Sequence, residues 1–266
     1  AIVPVGKMPV KGFILIKKSR EIIDLRSDTV TMPNEKMRKA MYEAEVGDDV
    51  LGEDPSVNRL EELSAEILEK DAALFVPSGT FGNQLALFTH TERGNEVILS
   101  EESHIVEHEA GAASVLASVQ LRPVMPEGSY ISWEEIEPRI RKTDDIHYPK
   151  TGCIAVENGL SNGDVQPITG MMENYIGAQE WGIPVHMDGA RIFNAAIAIK
   201  NEPAALAAYA DSIMFCLSKG LAAPVGSILV GTNDFVEKAR RLRKIMGGGM
   251  RQAGVIAAAG KKSRHQ

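Results

Sequence analysis

Short apolar runs alternate with amphipathic segments along most of the chain. Seven runs of four or five residues, each bounded by polar or turn-forming residues, predict buried β-strands. They cover 73–76, 96–99, 120–124, 153–156, 184–187, 213–217 and 227–230. Strands that alternate with helices are typical of a mainly parallel sheet with helices on both faces. The sequence therefore predicts an α/β fold around a seven-stranded sheet.

Apolar residues at helical spacing predict the helices between these strands. The clearest segments are 35–45, 57–68, 133–141 and 233–243, followed by a last helix that begins near Arg251. Ser132-Trp-Glu-Glu135 has the pattern of a capping box, and Gly247-Gly-Gly249 is a typical helix end. We expect residues 1–22 to be an extension outside the fold, 23–260 to form one large domain, and 261–266 to be a polar tail.

Composition narrows the possible partners. The 266 residues carry a net charge of −7 without a basic stripe, which argues against nucleic-acid binding. No apolar run approaches the length of a membrane span, so no membrane partner is expected. Cys153 and Cys216 fall inside predicted strands and lack metal-ligand spacing, which indicates buried thiols, no metal and a reducing, cytoplasmic location.

The strongest candidate for chemistry is Lys219. It follows the apolar run 213–217 in Ser218-Lys-Gly220, at the carboxyl end of a strand, where α/β sheets bind ligands. Burial tends to lower the pKa of a lysine and to make its neutral amine a nucleophile. Val185-His-Met-Asp-Gly-Ala-Arg191 ends another strand on Asp188. Pyridoxal 5′-phosphate (PLP) needs a lysine for its Schiff base and an acid for its ring nitrogen, so we interpret the chain as a PLP protein.

Two further turns support this interpretation, although each is ambiguous alone. Val76-Pro-Ser-Gly-Thr-Phe-Gly82 is either a tight strand-to-helix turn or a phosphate site at a helix N-terminus, formed by Ser78, Gly79 and Thr80. His104 is either a surface residue or a ring that lies against an aromatic cofactor. These residues, Asp188 and Lys219 each follow a different predicted strand, so one ligand would meet all of them.

Other polar segments leave alternatives open. His147 is ambiguous, and 25–31 is consistent with an N-terminal arm with capping hydroxyls. The acidic segment 47–55 is expected to be a solvated loop, since it lacks the ligand pattern of an EF-hand. Lys244 and Arg251, which flank the triple glycine, are either surface cations or contacts to a neighbouring subunit's phosphate in a symmetric oligomer.

From about Ile23 to Gly260 the sequence resembles the low-specificity L-threonine aldolases, which are PLP enzymes of the aspartate-aminotransferase fold, fold type I. The most specific motifs are Asp24-Leu-Arg-Ser-Asp-Thr-Val-Thr31, Phe75-Val-Pro-Ser-Gly-Thr80, His186-Met-Asp-Gly-Ala-Arg-Ile-Phe193, Phe215-Cys-Leu-Ser-Lys-Gly220 and Gly247-Gly-Gly-Met-Arg-Gln252. Their occurrence in order makes a chance match very improbable.

The resemblance implies a role for each candidate residue. Lys219 would carry the Schiff base, Asp188 would hold the ring nitrogen, and His104 would stack on the ring. Ser78, Gly79 and Thr80 would bind the phosphate, joined by Lys244 and Arg251 from an adjacent subunit. Ser27 and Arg191 would hold the substrate carboxylate, with His147 and His104 near its β-hydroxyl.

The implied reaction is retro-aldol cleavage of L-threonine or L-allo-threonine to glycine and acetaldehyde by a homotetramer built from tight dimers. The sequence departs from the family at Leu51, which replaces a tyrosine, and at Glu157-Asn-Gly-Leu-Ser-Asn162, which replaces Glu-Asn-Thr-His-Asn. The family also has a small C-terminal domain with a second carboxylate-binding arginine, which we expect this chain to lack. Alternatives are a PLP-binding relative without turnover and another fold type I enzyme, such as a β-eliminating lyase or racemase.

Overall fold

The protein is described by a computed structural model that covers residues 23–141 and 145–262. All seven predicted strands form, and they build one sheet. The strands are β1 (Ala72–Val76), β2 (Glu96–Ser100), β3 (Gln120–Val124), β4 (Thr151–Glu157), β5 (Val185–Asp188), β6 (Ser212–Cys216) and β7 (Ser227–Gly231). Their order across the sheet is β1-β7-β6-β5-β4-β2-β3. Only the pairings of β7 with β1 and β6 are antiparallel among these strands, which confirms a mainly parallel sheet.

The reversed direction of β7 follows from the short link before it. A parallel crossover needs roughly a dozen residues or more, usually including a helix. Residues 217–226 contain no helix, so the chain turns back beside β6. The turn ends at Gly226, whose φ of +105° and approach to the Phe75 ring leave no room for a Cβ. This turn carries Lys219.

Helices cover the sheet as the sequence pattern predicts. They are α1 (Glu35–Tyr42), α2 (Pro55–Leu68), α3 (Gly79–His90), α4 (His104–Glu107), α5 (Trp133–Ile136), α6 (Ile168–Glu180), α7 (Ile192–Ala198), α8 (Pro203–Ala207), α9 (Asn233–Ile245) and α10 (Gly254–Lys262). Short 3₁₀ turns span Asp28–Val30, Asp49–Leu51 and Glu137–Arg139, and a π-helical turn spans Ala113–Ala117. Within the described ranges, no helix combines the length and apolarity needed to cross a bilayer.

Alternate residues of each strand supply opposite faces of the sheet. Phe75 and Ile98 belong to the large core cluster on one face, whereas Leu74 and Leu99 belong to clusters on the other. This alternation is the period of two that a pleated strand imposes. Because both faces are covered, the strands are apolar at nearly every position, as the sequence shows.

Some helix boundaries differ from the prediction. The Glu135 carboxylate accepts the Ser132 N–H at 2.7 Å, as a capping box requires, but α5 ends at Ile136 and continues only as a 3₁₀ turn. Pro138 explains the early end, because proline has no N–H to continue an α-helix. The last helix begins at Gly254 instead of Arg251, where the Asp54 carboxylate accepts the Gly254 N–H at 2.8 Å.

The expectation of a solvated loop at 47–55 holds only in part, since residues 51–53 and Pro55 are exposed but two of its acids are not. Asp49 and Asp54 are buried, because each carboxylate finds donors inside the fold. Asp54 caps α2 by accepting the N–H groups of Ser56 and Val57, both at 3.0 Å. The predicted extension 1–22 and residues 263–266 of the predicted tail lie outside the described residues, and Lys261 belongs to α10.

Candidate active site

Four loops meet at the carboxyl edge of the sheet and enclose a cavity of about 280 Å³. The cavity is lined by Ser78, Gly79 and Thr80 after β1, His104 after β2, Asp188 at the end of β5, and Lys219 after β6. The structure therefore brings together the residues that the sequence placed after four separate strands. Ligand sites of open α/β sheets are found at this edge.

The β1 turn provides a cradle for an anion at the start of α3. Ser78 is the N-cap, and its hydroxyl accepts the Phe81 N–H at 3.2 Å. The first N–H groups of a helix point beyond its end, and the helix dipole adds partial positive charge. A Cβ on Gly79 would lie 2.8 Å from Cys216 Sγ, so only glycine fits this close approach. The cradle suits a phosphate.

Asp188 is the buried acid of the site, with 3 % of its surface exposed. Its Oδ2 accepts from Asn83 Nδ2 at 2.7 Å, and its Oδ1 accepts the Ala190 N–H at 3.0 Å. Burial raises the pKa of Asp188, while these two donors act in the opposite direction. A cationic ring nitrogen beside Asp188 would favour its ionised form.

His104 begins α4 and is anchored from two sides. Its Nδ1 lies 2.8 Å from Glu109 Oε1, and its backbone N–H donates to Glu157 Oε2 at 2.9 Å. The Glu109 hydrogen bond raises the pKa of His104, against the opposing effect of partial burial. Because Nδ1 is engaged, Nε2 is the ring nitrogen that remains for a ligand.

Glu157 is a second acid that the sequence interpretation did not assign. It ends β4 and pairs in register with Asp188 on β5, so the two acids are neighbours. Burial, followed by the charge of Asp188, raises the pKa of Glu157 to about 7. Sequence reasoning could have found Glu157 by its position, since it ends a parallel strand as Asp188 does.

Lys219 is partly buried, and its loop is tied to the N-terminal segment. Thr31 Oγ1 donates to the Lys219 carbonyl oxygen at 2.8 Å. Lys219 lines the same cavity as His104 and Asp188, and its positive charge acts on Glu157, His104 and Asp28. From the segment 25–31, Thr29 in the 3₁₀ turn that Ser27 caps lines the cavity.

Arg191 already holds a carboxylate. Its Nε and Nη2 donate to Asp28 Oδ2 and Oδ1 at 2.8 and 2.9 Å, which is a bidentate pair. The pair lowers the pKa of Asp28 and raises that of Arg191. Ser27, the other residue expected to bind the substrate carboxylate, is exposed, and its hydroxyl accepts the Thr29 N–H.

Three predicted site residues and Leu51 do not line this cavity. The His147 side chain is 80 % exposed on a loop and pairs with Asp145. Lys244 is exposed near the end of α9, and Arg251 Nη1 binds Asp48 Oδ2 at 2.7 Å. Leu51 is exposed too. Their expected roles remain predictions.

Three side chains of the site form a cluster of possible metal ligands. His104, Glu109 and Asp188 each offer a ligand atom, and these atoms lie within 4.8 Å of one another. Each of these two carboxylates also accepts an N–H of the neutral Asn83 amide.

A mainly parallel α/β sheet with a lysine, a buried acid and an anion cradle at its carboxyl edge defines a class of proteins that bind a small anionic ligand there. The family model described as beta-eliminating lyase matches residues 24–265. The chain belongs to the beta-eliminating lyase family.

Known proteins place the chain more closely within this family. It is 46 % identical over 241 residues to the low specificity L-threonine aldolase of Escherichia coli (strain K12), covering 90 % of this chain and 72 % of that protein. It is 48 % identical over 249 residues to a probable low-specificity L-threonine aldolase 2 of Arabidopsis thaliana, covering 92 % and 70 %. A solved threonine aldolase from Leishmania major superposes with a TM-score of 0.80 at 20 % identity, covering 90 % and 71 %, and this supports the fold alone.

Proposed function

We propose that the protein is a PLP-dependent lyase that cleaves L-threonine or L-allo-threonine to glycine and acetaldehyde. In this reaction the β-hydroxyl loses its proton, the Cα–Cβ bond breaks, and Cα gains a proton. The observation that carries the proposal is the meeting of Lys219, Asp188, His104 and the α3 cradle around one cavity. The similarity to L-threonine aldolases supports the choice of substrate.

The residues of the cavity fit PLP. The glycine-lined cradle at Gly79 would take its phosphate, and the Lys219 amine would hold its aldehyde carbon. Asp188 would contact the ring nitrogen, and the His104 ring would lie against the ring face. When bound, PLP supplies an electron-accepting ring that stabilises negative charge on the substrate Cα.

The chain's own groups would position the substrate and move protons. His104 Nε2 would take the proton of the β-hydroxyl, because Glu109 fixes Nδ1 and helps to stabilise the charged ring. Glu157, with a pKa near 7, is suited to hold or release a proton beside Asp188. Arg191 and Ser27 would hold the substrate carboxylate, and Asp28 occupies that position in the present structure.

The test uses the purified protein loaded with PLP. Replacing Lys219→Ala should remove the visible absorbance band of lysine-bound PLP and abolish glycine formation from threonine. Lys70→Ala is the matched control, since Lys70 is also partly buried but donates to the Ala210 carbonyl oxygen. A Lys219→Ala protein that keeps the band would refute the assignment.

The products separate this function from other chemistry on the same scaffold. Retro-aldol cleavage of threonine yields glycine and acetaldehyde in equal amounts. A β-elimination, the reaction after which the family is named, would instead yield 2-oxobutanoate and ammonia. The second product pair without glycine would replace the aldolase proposal with that of a lyase acting by elimination.

We also propose the assembly and setting that the sequence suggests. Residues 23–260 would form the PLP-binding domain of a homotetramer, in which Lys244 and Arg251 contact the phosphate of an adjacent subunit and His147 lies near a substrate hydroxyl. A cytoplasmic location would suit Cys153 and Cys216, which are buried free thiols. Sedimentation of the PLP-loaded protein tests the tetramer.

A further inference from the structure

A line of hydrogen bonds runs from His90, at the end of α3, past the start of β6 and β5 to Asp188. His90 Nε2 lies 2.7 Å from Ser212 Oγ, and Ser212 Oγ lies 2.9 Å from His186 Nδ1. His186 Nε2 then lies 3.1 Å from Asn83 Oδ1, and Asn83 Nδ2 donates to Asp188 and Glu109. We call His90, Ser212, His186 and Asn83 the relay.

The proton positions in the relay have one consistent solution. Asn83 gives both amide protons to carboxylates, and the flipped amide would place its oxygen between two anions. Its oxygen must therefore accept, so His186 carries its proton on Nε2. Burial lowers the pKa of His186 to about 3, so the ring is neutral and its Nδ1 accepts from the Ser212 hydroxyl. Ser212 in turn accepts from His90 Nε2.

Every donor in the relay consequently points toward Asp188. His90 is neutral as well, because burial and the nearby Lys238 lower its pKa to about 4. Aligned hydrogen bonds polarise one another, so each bond in such a row strengthens the next. The last donor, Asn83, bonds to a carboxylate, and hydrogen bonds to charged groups are the strongest.

We propose that the relay is a positioning device that keeps Asp188 ionised and correctly oriented for the ring nitrogen of PLP. The inference rests on the proposed function, because it concerns the contact of Asp188 with that nitrogen. The relay counters the burial and like charge that act against the Asp188 anion. The titratable groups that face Asp188 are Glu157 on β4, His104 and Glu109 around α4, His186 on β5, Cys216 on β6 and Lys219 after β6.

The decisive measurement is PLP affinity as a function of pH for the wild-type apoprotein and its variants. A protonated ring nitrogen pairs with an ionised Asp188, so a weaker relay should impair binding most at low pH. For Asn83→Leu, the pH at which PLP affinity begins to fall on acidification should rise by about one to two units. This shift is the equivalent of one lost hydrogen bond to a charged group. Ser212→Ala, which is remote from the cavity, should move it by about half a unit.

The ratio of the variant to the wild-type dissociation constant reports the contribution of Asp188 to the pH dependence. The contribution of Lys219 cancels, because Lys219 is the same in both proteins. We expect this ratio to rise as the pH falls. Ser64→Ala is the matched control, since Ser64 is another buried serine whose hydroxyl bonds to the Leu60 carbonyl, and its ratio should stay near one. A constant ratio for Ser212→Ala would indicate a merely structural role and overturn the proposal.

Nitrogen NMR of the apoprotein tests the relay independently of PLP. His186 should be a neutral ring with its proton on Nε2 throughout pH 5–8, and a proton on Nδ1 would overturn the proposal. If the wild-type protein does not take up PLP, both the proposed function and the role of the relay are refuted. If the protein binds PLP through Lys219 but Ser212→Ala behaves as wild type, the relay alone is refuted.

Discussion

Replacing Glu157→Gln should make the apoprotein more stable relative to wild type as the pH rises. Unfolding returns the Glu157 carboxyl to its ordinary pKa of 4.5, whereas burial and Asp188 hold it at about 7 in the fold. Between these values the folded state keeps a proton that the unfolded state has lost, so the wild type loses stability as the pH increases. A shift of this size corresponds to about 3 kcal/mol.

Glutamine removes this loss while its side-chain oxygen still accepts the His104 N–H. The difference in unfolding free energy between Glu157→Gln and wild type should therefore grow by up to about 3 kcal/mol from pH 4.5 to 7.5. Urea titrations at a fixed protein concentration measure this difference at each pH. Glu62→Gln, an exposed change on α2, should give a flat difference. A flat or falling curve for Glu157→Gln would contradict the assigned burial and charge of this acid.

Two other substitutions test buried contacts. Asp49→Ala should lower the free energy of unfolding in urea by about 3–5 kcal/mol, because it leaves the buried Arg243 guanidinium without its carboxylate; Arg243 is 2 % exposed and binds Asp49 at 2.8 Å. Adding Arg243→Met should restore most of the lost stability. A double variant as unstable as the single one would count against this reasoning. Gly79→Ala should weaken PLP binding about tenfold in a PLP titration, because the new Cβ would lie against Cys216 Sγ. Adding Cys216→Ala should restore part of the PLP affinity. If Gly79→Ala left the affinity unchanged, the phosphate cradle would have more room than this contact implies.

Much of the fold was predictable because local patterns and sheet architecture agree. All seven strands form within two residues of their predicted limits, since fully buried strands are continuous apolar runs. The antiparallel direction of β7 could also have been predicted, because ten residues separate β6 from β7 and no helical pattern lies between them. Helix ends were less predictable, since tertiary donors and acceptors such as Asp54 decide where α10 begins.

The candidate site was predictable only where a side chain follows a strand directly. Ser78, His104, Asp188 and Lys219 meet because the carboxyl ends of parallel strands share one edge. Asn83 could not be found in this way, because it lies one turn inside α3 and its role depends on strands far along the chain. The burial of Asp49 could not be predicted either, because its partner Arg243 is 194 residues away.

The strand order also affects how the chain is made. Strand β1 lies at one margin of the sheet, and its sole partner there among the described strands is β7, about 150 residues later. At ribosomal rates of roughly 5–20 residues per second, the apolar segment Ala-Ala-Leu-Phe-Val would wait about 8–30 s for that partner. During this interval the nascent protein exposes an unpaired, aggregation-prone strand. Dependence on chaperones should therefore be greatest before β7 emerges, and stalling translation beyond that point should remove it.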